Sequence, residues 1–267
     1  MADKVAFAIG AHPDDIEFMM AGTLILLKRA GWECHYMTLA NGSCGSQVYS
    51  ASELRKIRRR EAMNGAKIIG AVFHESLVDD LEIFYEQKLI RRVASVIRQV
   101  RPRIILTHSP QDYMEDHMNT CRVVVTAAFV RSAPNYRVIP PRKIINDDVT
   151  IYHSMPNGLR DQLRRRVIPG LFVNTTAVQE QKCAALAEHK SQREWLDSTQ
   201  KMDLYLKTME EFALDMGKMS GKFKYAEGFR RHLHYGFCGE NDDPLKDALG
   251  EDCLVNKAYE KALEEGF

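Results

Sequence analysis

The chain lacks any run of apolar residues approaching the roughly 20 needed to span a bilayer, which excludes a transmembrane helix. It also lacks a C-x-x-C pair: Cys34, Cys44, Cys121, Cys183, Cys238 and Cys253 are scattered singly. In a chain of 267 residues such cysteines read as reduced, partly buried thiols and not as a disulfide frame. An excess of one charge is missing too. With 37 Lys+Arg against 36 Asp+Glu the net charge is +1, so neither a nucleic acid nor an acidic membrane is an expected partner. The basic run Arg55-Lys56-Ile57-Arg58-Arg59-Arg60 is the local exception, and most of it reads as a solvated helix face. The first apolar run, Val5 to Ile9, is too short for a signal sequence, so the expectation is a cytosolic protein. Internal repeats and low-complexity tracts are absent.

What is present is alternation. Val5–Gly10 is a continuous apolar run, suited to a strand buried on both faces. Ile16–Ala30 follows with helical spacing and stops at Gly31. Strand-like segments recur at Cys34–Leu39, Ala71–Ser76 and Ile104–Thr107, with helices expected from Ser52 (as cap) to Ile69, over Tyr85–Val100 and over His117–Phe129. Repeated strand–helix–strand units of this length predict an α/β fold: a parallel sheet with helices on both faces. Further on, Val149–His153 and Leu171–Asn174 suit strands, Arg160–Arg166 an exposed helix or flap, and Thr176–His189 and Arg193–Met216 two helices. Beyond the turn Asn241–Pro244 lies a charged tail.

The chemistry sits where the first strand ends, in Gly10-Ala-His-Pro-Asp-Asp-Ile-Glu17. Ligand sites of parallel α/β sheets lie beyond the carboxyl ends of the strands. Here that position holds an imidazole and two adjacent carboxylates, and Pro13 keeps His12 extended. Such donors suit zinc or another divalent transition metal better than magnesium. A catalytic zinc takes about three protein ligands and keeps one position open. The loop supplies two, and His117, beside Asp116 after the strand Ile104–Thr107, is the candidate third. The plainer interpretation, in which an aspartate merely caps the helix and His12 is a satisfied strand-end residue, does not explain the whole constellation.

These residues resemble the LmbE-like or PIG-L-like zinc N-deacetylases. The resemblance rests on Ala11-His-Pro-Asp-Asp-Ile-Glu17 and on Asp112 to His117, set against a family pattern D-x-H-P-D-H. It continues through Arg58…Glu61-Ala62, Lys182…His189-Lys-Ser-Gln192 and Tyr225-Ala-Glu-Gly-Phe229. It implies a Rossmann-like three-layer sandwich with a mostly parallel sheet and C-terminal helical additions. One deacetylase domain would span residues 1–230, with 231–267 an extension packed on it or trailing from it. It further implies His12, Asp15 and His117 as ligands of one Zn2+ per chain, iron being the alternative metal. Asp14 would be the general base toward the metal-bound water, and a small N-acetylglucosaminyl-type molecule the substrate. Homo-oligomerisation is also implied.

One position departs from the pattern. Met114 stands where the family has a histidine, and a thioether neither donates a hydrogen bond nor protonates an amine. His189 and His108 are the candidate substitutes, with His189 preferred for catalysis. Arg58, Asn41, Ser43 and His108 are candidate substrate contacts, and Asp116 a carboxylate that orients a neighbouring imidazole. Three other functions fit the sequence less well. A dinucleotide enzyme is set aside because the first turn lacks G-x-G-x-x-G. A phosphoesterase would normally bridge two metals, and a non-catalytic binder would have no need of an intact base.

Overall fold

The computed structural model describes residues 4–200 and 205–265. Its first half follows the alternation: β1 (Val5–Gly10), α1 (Asp15–Met19), α2 (Ala21–Arg29), β2 (Glu33–Thr38), α3 (Ala51–Ile69), β3 (Val72–His74), α4 (Gln87–Val100), β4 (Ile104–Thr107) and α5 (Glu115–Phe129). Then come β5 (Thr150–Ser154), β6 (Leu171–Asn174), α6 (Gln179–Leu186), α7 (Lys190–Gln200), α8 (Tyr205–Ser220) and β7 (Ala226–Arg231). The tail adds α9 (Pro244–Leu249), β8 (Cys253–Val255) and α10 (Lys257–Glu265).

The described residues form one eight-stranded sheet in the order β3-β2-β1-β4-β5-β7-β6-β8. The first five pair in parallel, in the order of the first five strands of the Rossmann sheet. From β5 onward the pairings are antiparallel. Apolar side chains fill both faces, as a doubly covered sheet requires. Ala6, Ala8, Tyr36 and Leu106 point into the core beneath α1, α2, α3, α6 and α8. Phe7, Ile9, Met37 and Ile105 point to the opposite core beneath α4 and α5. No helix among the described residues is long and apolar enough to cross a membrane.

Four local expectations are corrected. The segment Ile16–Ala30 is two helices, broken at Met20. The amides of Gly22 and Thr23 are free to donate because Glu227, from β7, accepts both at 2.9 and 2.8 Å. Gly22 is required there, since a Cβ would come within 2.5 Å of Thr175 Cγ2. The cap of α3 is Ser50, not Ser52: Ser50 and Glu53 form a reciprocal capping box. Of the two alternatives for residues 160–166, the helix is excluded: they form a loop closed by a bridge between Arg160 and Arg166, as a flap would be. Finally, the span 193–216 divides between α7 and α8, and residues 201–204 within it lie outside the described residues.

Candidate active site

The loops after β1 to β5 converge on a cavity of about 650 Å3. At its floor, His12 turns Nδ1 toward Asp15 Oδ2 (3.5 Å) and Nε2 toward Asp116 Oδ2 (2.9 Å). His117 turns Nε2 toward Asp15 Oδ1 (3.3 Å) and Nδ1 toward Asp112 Oδ1 (3.0 Å). Each imidazole is therefore fixed from behind by a carboxylate and presents its other nitrogen to Asp15, an arrangement common among metal-binding histidines. Donor atoms of His12, Asp15 and His117 lie within 4.8 Å of one another. Asp116 also accepts from the Leu81 amide at 2.8 Å, which anchors it to the loop after β3.

The electrostatics suit a cation. Burial works against protonating His12, yet Asp116 and Asp15 hold its pKa up at about 9. Burial likewise opposes a charge on His117, but Asp15 and Asp112 raise it to about 10. Burial acts to raise Asp15 as well, and the neighbouring imidazoles, His117 first, keep it well below the usual carboxylate range. Asp15, Asp112 and Asp116 crowd the two imidazoles, and a bound cation could take the place of the protons these carboxylates hold there. The donor set is one that zinc accepts: two imidazoles and a carboxylate.

Asp14 stands beside this set and does not join it. Its backbone has φ 107°, in the half of backbone space that non-glycine residues rarely adopt, at a cost of order 1–3 kcal/mol. Its carboxylate accepts from Tyr205 Oη, and Arg58 Nη2 lies 3.7 Å away. Burial pushes the Asp14 carboxyl above its ordinary value; Arg58 pulls it down and Asp15 pushes it further up. A buried, destabilised carboxylate at a cavity is the physical profile of a general base.

The sequence-predicted contacts fare unequally. Arg58 lines the cavity, and its guanidinium donates to Pro13 O and Gln192 Oε1. Those two bonds brace Asp14's turn. Glu61, one helical turn on, accepts from the Ser191 amide and hydroxyl at 2.9 and 2.6 Å. The Arg58…Glu61 pair of α3 thus clamps Ser191-Gln192 of α7, which is why those distant motifs belong together. Asn41 and Ser43 do not line the cavity. Asn41 donates to Asp79 (2.5 Å), and Asp80 ties down the amides of Gly42 and Cys44, so Cys44 and Gly45 present this loop instead.

Of the two candidate substitutes for the family histidine, His108 borders the cavity and His189 does not. His189 is fully buried, does not line the cavity, and lies 3.0 Å from Glu17, close but misaligned for a hydrogen bond. His108 borders the cavity, stacks on His117 with centroids 4.2 Å apart, and its Nε2 accepts from the Ala11 amide at 2.9 Å. Burial lowers its pKa, which suits a neutral acceptor, so its 3.2 Å approach to Asp15 is proximity and not a hydrogen bond. The same engagement leaves the second donor group, His108–Asp112–His117, poorly suited to a second ion.

Sequence reasoning passed over three residues. Asp112 was legible, five positions before His117. Tyr205 and Trp195, which line the cavity from α8 and α7, carry no local signal, because only the tertiary fold brings them there.

Residues 7–128 match the family described as PIG-L: GlcNAc-PI de-N-acetylase. A diacetylchitobiose deacetylase of Thermococcus kodakarensis is 30% identical over 239 residues, 85% of this chain and 82% of the relative. The chain belongs to the PIG-L (LmbE-like) family. A second relative has a different chemistry in its name: a 4-oxalmesaconate hydratase of Pseudomonas putida, 27% identical over 191 residues, 68% of this chain and 72% of that one. The crystal structure of the 4-carboxy-2-hydroxymuconate hydratase from Pseudomonas putida superposes with a TM-score of 0.72 at 24% identity. It covers 85% of this chain and 95% of that one. At that identity the likeness speaks for the fold, which is the PIG-L fold.

Proposed function

We propose that this PIG-L protein is a metal-dependent N-deacetylase of a small, N-acetylated, sugar-like molecule. The observation that carries the reading is the juxtaposition on one cavity floor of a three-donor cation site with Asp14, a separate destabilised carboxylate. His12, Asp15 and His117 would hold the ion, with zinc, one per chain, the expected metal. Such an ion supplies Lewis-acid polarisation of an acyl carbonyl and of a water molecule. The protein does the rest. Asp112 and Asp116 keep both imidazoles aimed at Asp15, Asp14 takes the proton of the attacking water, and the cavity walls hold the acyl group over that carboxylate.

The hydratase relative supports a second reading, because Met114 leaves no donor at the place where a departing amine would need one, and water addition has no departing amine. In water addition to a carbon–carbon double bond, Asp14 would take the water proton as the C–O bond forms and deliver it to the other alkene carbon. The test is to measure the metal content of the purified protein and acetate release from N-acetylglucosamine derivatives, with Asp14→Asn alongside. Metal-dependent release that the substitution abolishes is the expected result. A metal-loaded protein that frees acetate from no amide would turn the reading toward hydration, and failure to bind any divalent metal would overturn both.

A further inference from the structure

An amide nitrogen cannot depart as an anion; it must be protonated as the bond to carbon breaks. The cavity offers few groups able to do this beside Asp14. Arg58 does not give up its protons. His108 uses its Nε2 as an acceptor, and Met114 has no proton to give. Tyr113 is 61% exposed at the cavity's edge. Tyr205 differs from all of them. It enters from the first residue of α8, is 3% exposed, packs edge-on against Phe18 with centroids 5.1 Å apart, and donates its phenol hydrogen to Asp14 Oδ2. It also lines the cavity.

We infer that Tyr205 is a catalytic residue that carries the proton from Asp14 to the departing nitrogen, supplying the donor that Met114 lacks. The inference rests on the deacetylase reading. As the water oxygen bonds to the acyl carbon, one water proton passes to Asp14 and the carbonyl π pair moves onto its oxygen. On collapse that pair re-forms the C=O bond, and the C–N bond breaks with its electrons on nitrogen. Nitrogen then takes the Tyr205 proton while the Tyr205 oxygen takes the proton held by Asp14. Carboxylic acid and amine leave, and both side chains return to their starting forms. Burial, and then the Asp14 charge, keep the phenol protonated well above its ordinary range, so it is loaded at neutral pH.

The test uses Tyr205→Phe in the full, metal-loaded chain and compares leaving groups. For an N-acetylated alkyl amine, kcat should fall by about 10²–10³-fold, the scale of one proton-transfer catalyst, with KM little changed. For 4-nitrophenyl acetate, whose phenolate leaves without a proton, the variant should match wild type. Metal affinity should also match, while the thermal midpoint should fall by a few degrees, because Asp14 loses a buried donor. Incorporating 3-fluorotyrosine at position 205, which keeps an O–H, should restore the amide rate to within about tenfold. Equal losses on amide and ester would mean that the phenol only shapes Asp14, and would overturn the shuttle. So would an undiminished amide rate. A wild-type chain inactive on every amide would overturn the deacetylase reading itself, and the shuttle with it.

Discussion

Two buried polar clusters, several carboxylates at the strand ends and the single carboxylate Glu227 beneath α2, are both built around charge and do opposite things. Beneath α2, Glu227 is 2% exposed, and all its partners are in place. Lys182 Nζ lies at 2.7 Å, the amides of Gly22 and Thr23 donate to it, and the Thr23 hydroxyl donates at 2.6 Å. Charge and hydrogen bonds close upon themselves, and the cluster does not line the cavity. At the strand ends, Asp14, Asp15, Asp112 and Asp116 meet two imidazoles and Arg58, with Asp14 held at φ 107° and the imidazoles pulled far from their ordinary pKa values. Burial of charge therefore does not mark a functional site by itself. Imbalance beside a cavity does.

The largest effect that would break this comparison is at Asp14. Asp14→Asn should lower kcat for acetate release by about 10²–10⁴-fold while leaving metal content intact. Because burial disfavours the Asp14 carboxylate, the neutral amide should hold or raise the urea midpoint. A loss of both activity and stability would mean that the strand-end cluster is as structural as its counterpart.

The mirror experiment is Lys182→Met. Removing the cation leaves Glu227 buried without its counter-charge, which should cost about 3–5 kcal/mol in chemical denaturation. The kcat of the folded fraction should not change, since Lys182 does not line the cavity. A lowered kcat at unchanged stability would show that the two clusters are coupled and that the contrast is false.

The two clusters also differ in how far the sequence reveals them. The strand-end cluster is largely local: β1 and β4 have the predicted bounds, and His12, Asp15 and His117 converge because parallel strands place their loops along one edge. The Glu227 cluster is not local. It joins residues 205 positions apart, and without it the apolar spacing from Ile16 to Ala30 reads as one helix. Tyr205 was hidden for the same reason, lying 191 positions from Asp14. Local periodicity also misled at the far edge of the sheet. β7 carries Glu227, Arg230 and Arg231, and β8 has three residues, so neither shows the apolar run of a buried strand.

The smallest effect sharpens the comparison within the active cluster itself. Asp116 does not line the cavity; it accepts from His12 Nε2 and from the Leu81 amide. If its role is to hold His12 with Nδ1 toward Asp15, Asp116→Asn should weaken metal affinity by about 10–100-fold, the usual worth of a carboxylate behind a metal-bound imidazole. At saturating metal, kcat should recover most of its wild-type value, because Asp14 is untouched. Competition with a chelator of known affinity measures the first quantity and a metal titration of acetate release the second. An affinity equal to wild type would place Asp116 with Glu227, among the charges that hold the fold, and would remove His12 from the set whose aim depends on a carboxylate behind it.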